Sequence, residues 1–181
     1  MSRKYKFHNP EGLYFISFAT VYWLDVFTRA EYFDEVVNSI KFCQQKKGME
    51  VFAWCIMTNH VHLLFRAKEN NPTELLRSLK TFTSNRLAKL VEENVQESRK
   101  EWMIWMMERA ANQSSNVKHK QFWRQDNKPI ELWSEKVVYE KVDYIHLNPV
   151  VAGFVTEPEH WKYSSAIDFA GGKGLLTLDE L

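Results

Sequence analysis

Apolar and polar positions along the chain fall into segments of two periods. Leu13 to Trp23 (LYFISFATVYW) is dense in aromatic and β-branched residues and predicts a strand. Phe33, Val36, Val37, Ile40 and Cys43 then recur at three- and four-residue spacing, the stripe of an amphipathic helix, which Lys46-Lys47 and Gly48 bring to an end. Val51 to Met57 and His60 to Arg66 read as two strands joined by the turn-forming pair Thr58-Asn59, and so as a hairpin. In the second of these, Val61, Leu63 and Phe65 face one way while His60, His62 and Leu64 face the other. Asn71-Pro72-Thr73 opens a helix whose apolar side is Leu75, Leu76, Leu79, Phe82 and Leu87. Beyond Val91 the pattern loosens. Glu101 to Ala111 predicts a separate helix, Asn112 to Lys120 a polar loop, and Gln121 to Arg124 a fourth strand. Ser134 caps a last helix with Val138, Val142 and Ile145 inward, and Pro149 ends that helix or bends its exit.

The order strand, helix, strand, strand, helix, strand, helix predicts an α+β fold of the ferredoxin-like split βαβ kind. It has an antiparallel sheet with helices on one face, plus an added helix carrying Tyr144. The expected organisation is one domain over 1–181: a core at about 13–155, a helical insertion at about 92–120 and a C-terminal tail at 156–181 with a turn at Gly171-Gly172.

Composition changes this picture little. With 45% hydrophobic residues, 12 Phe and 7 Trp, the chain has the material for a core and is not a disordered one. A net charge of +1 means that a nucleic-acid partner has to rest on a local basic surface, not on overall charge. The candidates are Arg77, Lys80 and Arg86 on the second helix and the N-terminal stretch Arg3-Lys4-Lys6; the helix residues read equally well as a solvated face. Cys43 and Cys55 lie in apolar surroundings and read as buried thiols, suited to a reducing cytoplasm. No apolar run of membrane-spanning length is present, so no membrane association is expected.

The candidate chemistry lies in His60-Val61-His62 and in Tyr144 to Pro149. Residues two apart on a strand share a face, so both imidazoles point the same way. Residues four apart on a helix share a flank, so the Tyr144 phenol and the Asn148 amide lie about one turn apart. Brought together, these would make a site with three candidate metal ligands and one candidate nucleophile. Two nitrogens and an oxygen suit Mn²⁺ and tolerate Mg²⁺ when phosphate adds oxygens; a closed zinc site is disfavoured because no cysteine joins the set. Two strand histidines alone are more often ordinary polar residues, but two imidazoles within so apolar a strand call for something to coordinate them. His146 projects about 200° from Tyr144 around the helix and reads as structural or as a partner supporting a site residue from behind. Tyr139 and Tyr163 read as packed rings with their hydroxyls at the rim.

Cys55-Ile56-Met57-Thr58-Asn59-His60-Val61-His62-Leu63-Leu64 resembles the metal-binding stretch of the small HUH single-tyrosine (insertion-sequence-200-like) transposases. Asp143-Tyr144-Ile145-His146-Leu147-Asn148-Pro149 and the tail Trp161-Lys162-Tyr163-Ser164-Ser165-Ala166 resemble one branch of them, the REP-associated tyrosine transposases. The similarity runs from about Tyr14 to Gly172, though the 92–120 segment is longer than the family's usual connection. The resemblance implies a ferredoxin-like fold and a divalent metal held by His60, His62 and Asn148. It implies Tyr144 as a nucleophile that joins the 5′ phosphate of a cut strand. The implied partner is single-stranded or hairpin DNA of repetitive palindromic elements, bound by a monomer or homodimer in the cytoplasm at the nucleoid. Two other readings compete: a catalytically idle hairpin-binding module on the same fold, and an unrelated metal-dependent hydrolase of small molecules.

Overall fold

The computed structural model describes residues 7–69 and 71–181; the basic stretch Arg3-Lys4-Lys6 lies outside them. Four strands form one antiparallel sheet in the order β2-β3-β1-β4: β1 Leu13–Ala19, β2 Met49–Ile56, β3 His60–Ala67 and β4 Ile130–Leu132. β1 and β2 are joined through helix α1 (Ala30–Lys47), with β3 inserted between them, as a split βαβ unit requires. Gly48, at φ 63°, closes α1 in the left-handed conformation that favours glycine. The Asn71 side chain accepts from Glu74 N at the start of α2 (Pro72–Glu93), which Pro72 also favours by preset geometry.

The two faces of the sheet carry different partners. Ile16, Leu63, Phe65 and Trp54 pack with α1, α2 and α3 (Lys100–Asn112) in the larger core. Phe15, Cys55 and Leu64 pack on the opposite face with Val138, Val142 and Ile145 of α4 (Glu135–Val151). The tyrosine-bearing helix is thus an addition on the face that the other helices leave open. No helix among the described residues is long and apolar enough to cross a membrane.

Four expectations need correction. The first strand stops at Ala19, because Tyr22 and Trp23 take left-handed backbone (φ 52° and 57°) in a short turn. Phe82 is exposed, and Thr83 takes the inward position, where its hydroxyl accepts from Trp123 Nε1 at 2.9 Å. Residues 121–124 form no strand: beside the isolated Thr20–Trp123 bridge just past β1, Val21 N donates to Phe122 O and Arg124 N to Ala19 O. The sheet's fourth strand is instead Ile130–Leu132, on the same edge of β1. Between the two contacts Lys128 sits at φ 42° and Pro129 has no N–H, so the ladder cannot run through. Helix α4 continues two residues past Pro149 and stops at Gly153 (φ 77°).

The tail is part of the sheet's protection. It lies along the outer edge of β2, where Ile56 N donates to Tyr163 O, Ser165 N to Trp54 O, and Val51 N to the Asp179 carboxylate. Those groups would otherwise be an open strand edge.

Candidate functional site

The hairpin turn fixes the first imidazole. Asp25 Oδ1 accepts from Thr58 Oγ1 (2.7 Å) and from Asn59 Nδ2 (3.0 Å), which turns Asn59 Oδ1 towards His60 Nδ1 at 2.7 Å. An amide oxygen only accepts, so Nδ1 carries the proton and Nε2 keeps its lone pair. His62 is 2% exposed, and neither of its ring nitrogens has a hydrogen-bond partner. Its ring stands 4.6 Å from that of His60, nearly perpendicular to it. An orphaned buried imidazole is costly unless something binds it.

The opposite side of the site is α4. The Tyr144 ring lies 5.3 Å from the His62 ring and 5.9 Å from Phe15, edge to face, with the side chain half exposed. Asn148 Nδ2 donates to Tyr144 O at 2.8 Å, and the amide is near enough to both imidazoles to favour their charged forms, although it does not reach hydrogen-bond geometry with His62. Burial outweighs that influence. It lowers the pKa of His60, and it carries His62 down to about 3, with the charge of His60 adding to the effect. Both rings are therefore neutral near pH 7, the form that binds a metal. The described residues contain no group of three His, Cys, Asp or Glu side chains suited to a metal, and the Asn148 amide is the further polar group beside the two imidazoles. One neutral nitrogen from each imidazole, that of His62 without a partner, and an amide oxygen would fit a divalent ion with positions left open for substrate.

His60, His62, Tyr144 and Asn148 are thus brought together. Arg77, Lys80 and Arg86 are not: they lie on α2, which packs on the opposite face of the sheet. Arg77 pairs with Glu74 at 2.5 Å and Arg86 with Glu35 at 3.5 Å. Lys80 donates to Arg124 O at 2.8 Å and bonds the Asn127 side chain, and burial pulls its pKa down to about 7. Arg77 and Lys80 do line a groove of about 860 Å³ between α2 and residues 116–127, with Lys89, Lys120 and Arg124.

His146 has the structural place expected of it. Its Nε2 lies 2.8 Å from Ser165 Oγ, which also accepts from Trp54 N and donates to Trp54 O, so one hydroxyl ties α4 to β2. Tyr163 is buried and stacks on Phe33 at 4.0 Å, whereas Tyr139 is half exposed and not packed as expected. Cys43 and Cys55 are buried thiols, pushed up to about 11 and about 12 by burial. Sequence reasoning missed Lys141. Its ammonium sits 5.3 Å from the Tyr144 ring centre and 5.1 Å from that of Phe15. The available signal was its position three residues before Tyr144 on the same helix flank.

Residues 13–125, more than half of the chain, match the family described as transposase IS200 like. That match contains both imidazoles and stops before α4. A Haemophilus influenzae protein provisionally named REP-associated tyrosine transposase is 26% identical over 135 residues, 75% of this chain and 69% of that one. The solved structure of a REP-associated tyrosine transposase bound to a REP hairpin superposes with a TM-score of 0.66 at 17% identity, covering 99% of this chain and 93% of the other.

Proposed function

Because this chain belongs to the IS200-like transposase family, we propose that it nicks and rejoins single-stranded or hairpin DNA through a covalent 5′-phosphotyrosine on Tyr144. The observation that carries this reading is the buried His62, with no partner at either ring nitrogen and the Tyr144 ring 5.3 Å away. A divalent ion held by His60, His62 and Asn148, Mg²⁺ or Mn²⁺, would supply Lewis-acid neutralisation of a non-bridging phosphate oxygen.

The chain's own residues do the remainder. The Asp25–Asn59 pair holds the His60 ring in one tautomer, and burial keeps both imidazoles unprotonated. Phe15 and His62 position the phenol ring, and the Lys141 ammonium provides positive charge beside it. A free phenol has a pKa of about 10 and is a weak nucleophile at neutral pH, so positive charge on the phosphate is what the reaction needs. The Tyr144 oxygen forms a bond to phosphorus as the bond from phosphorus to the 3′ oxygen breaks. The phenol loses a proton and the departing 3′ oxygen gains one. Attack by a 3′ hydroxyl on the phosphotyrosine reverses this, joining strands without ATP. A hairpin substrate is supported by the REP hairpin in the solved structure of like fold. Membership of a transposase family disfavours the small-molecule hydrolase.

The test is covalent trapping on labelled hairpin DNA with an unpaired flank, in Mg²⁺ or Mn²⁺. Wild-type protein should form an adduct resistant to denaturation, and Tyr144→Phe should not. Tight hairpin binding by the wild type with no adduct in either metal would replace this reading with the binding-module one.

A further inference from the structure

The segment linking β1 to α1 is built unlike a simple connection. Thr20 anchors it, with its hydroxyl donating to Leu24 O and its N–H to Asn59 O. The next turn contains Tyr22 and Trp23, two consecutive non-glycine residues at φ 52° and 57°. Left-handed backbone costs an L-residue about 1–2 kcal/mol, so this conformation persists only where the surroundings enforce it. Its result is that two large aromatic side chains project outward, 42% and 50% exposed.

Their setting is specific. One side of Trp23 meets the His60 ring at 5.7 Å. The Arg124 guanidinium lies 5.4 Å from the Trp23 ring centre, and Arg124 is itself pinned by its backbone bond to Ala19 O. Tyr22 donates its hydroxyl to Gln113 Oε1 at 3.0 Å, and Gln125 Nε2 donates to Ser114 Oγ at 2.6 Å. Between these residues is a cleft of about 660 Å³ lined by Tyr22, Trp23, Gln113, Ser114, Arg124 and Gln125. That is within the size of small-ligand sites, about 300–1,000 Å³. Its walls combine aromatic faces, side-chain amides, the Arg124 cation and the Asp126 carboxylate; the aromatic, amide and cationic groups are the set that binds unpaired bases by stacking and edge hydrogen bonds.

We propose that this cleft holds an unpaired nucleobase of the strand being cut, with Trp23 as the stacking platform between that base and the scissile phosphate at His60. This rests on the DNA-nicking reading above. It also gives work to the inserted segment, since Gln113 caps the end of α3 and Ser114, Arg124 and Gln125 follow it. Arg124 reaches the adjoining phosphate, and the amides of Gln113 and Gln125 meet the base edge.

The test uses hairpin DNA with an unpaired flank carrying 2-aminopurine at each flank position in turn, and the same hairpin with the flank fully paired. Wild-type protein should bind the unpaired flank more tightly and quench 2-aminopurine at one position. Trp23→Gly removes the ring and suits the left-handed backbone, so the fold is retained. It should lose about 5- to 100-fold in affinity for the unpaired flank, the range for one base–aromatic stack, and lose the quenching. Trp23→Phe should recover most of both. Quenching retained in Trp23→Gly, or equal losses on paired and unpaired flanks, would overturn the proposal. Neither measurement needs cleavage. Position-specific quenching by a wild type that forms no adduct would uphold the cleft and sink the nicking reading; an adduct without flank preference would do the reverse.

Discussion

Acidification should destabilise the metal-free protein chiefly through two histidines that never face solvent. His62 and His146 are 2% and 7% exposed, and burial lowers their pKa values to about 3 and about 4. In the unfolded chain each titrates near 6.5. As pH falls below 6.5 the unfolded state takes up protons that the native state does not, so stability falls. The contribution is fully present above pH 6.5 and is lost as pH falls towards the folded values. At pH 5 an unfolded histidine is almost wholly protonated and His146 only about one-tenth so, which amounts to about 2 kcal/mol. His62 adds about 2 kcal/mol more, and His60 acts in the same direction. Against a total of about 5–15 kcal/mol this is a large loss. Urea unfolding followed by tryptophan fluorescence at pH 7.5 and pH 5 measures it. The double variant His62→Asn, His146→Gln should lose about 4 kcal/mol less than wild type over that interval. An equal loss in both proteins would show that neither imidazole is held neutral by the fold, and would remove the argument for an orphaned metal ligand.

Mn²⁺ at a hundred times its dissociation constant should stabilise the wild type by about 2.7 kcal/mol at pH 7.5, and chelator should reverse this. His62→Ala should abolish the gain, as seen by thermal unfolding with and without metal. Tyr144→Phe should stay within about 0.5 kcal/mol of wild type because its ring contacts survive, while adduct formation on a denaturing gel disappears; Tyr139→Phe should keep the adduct. Lys80→Ala should cost about 1–3 kcal/mol in urea unfolding by stranding Arg124 O and Asn127, whereas Arg77→Ala should cost under about 0.5 kcal/mol and instead weaken hairpin binding at low salt. Equal stability losses for the two would contradict this division of roles.

The two-residue period of His60-Val61-His62 and the four-residue step from Tyr144 to Asn148 made each pair's shared face legible, because each depends only on local geometry. What required the folded chain was what tertiary closure decides. Tyr22 and Trp23 have the aromatic character of a strand, and nothing in that character discloses left-handed backbone. The partner of β1 was placed too early because residues 121–132 meet it twice, with the interruption at Lys128-Pro129 hiding the second contact. Lys141 reads as a solvated helix lysine until α4 docks and sets it over Phe15. Ser164-Ser165 has no periodicity to show that it covers a strand edge.

The Ser165 latch has a consequence for the order in which the protein is made. Synthesis delivers both imidazoles, then the Tyr144 phenol, and only afterwards the hydroxyl that joins α4 to β2 and the Asp179 carboxylate that meets Val51. Until the tail docks, the outer edge of β2 is uncovered although the imidazoles and the phenol are already in the chain. Closing that edge is therefore the tail's contribution to keeping one chain's β2 from pairing with another's.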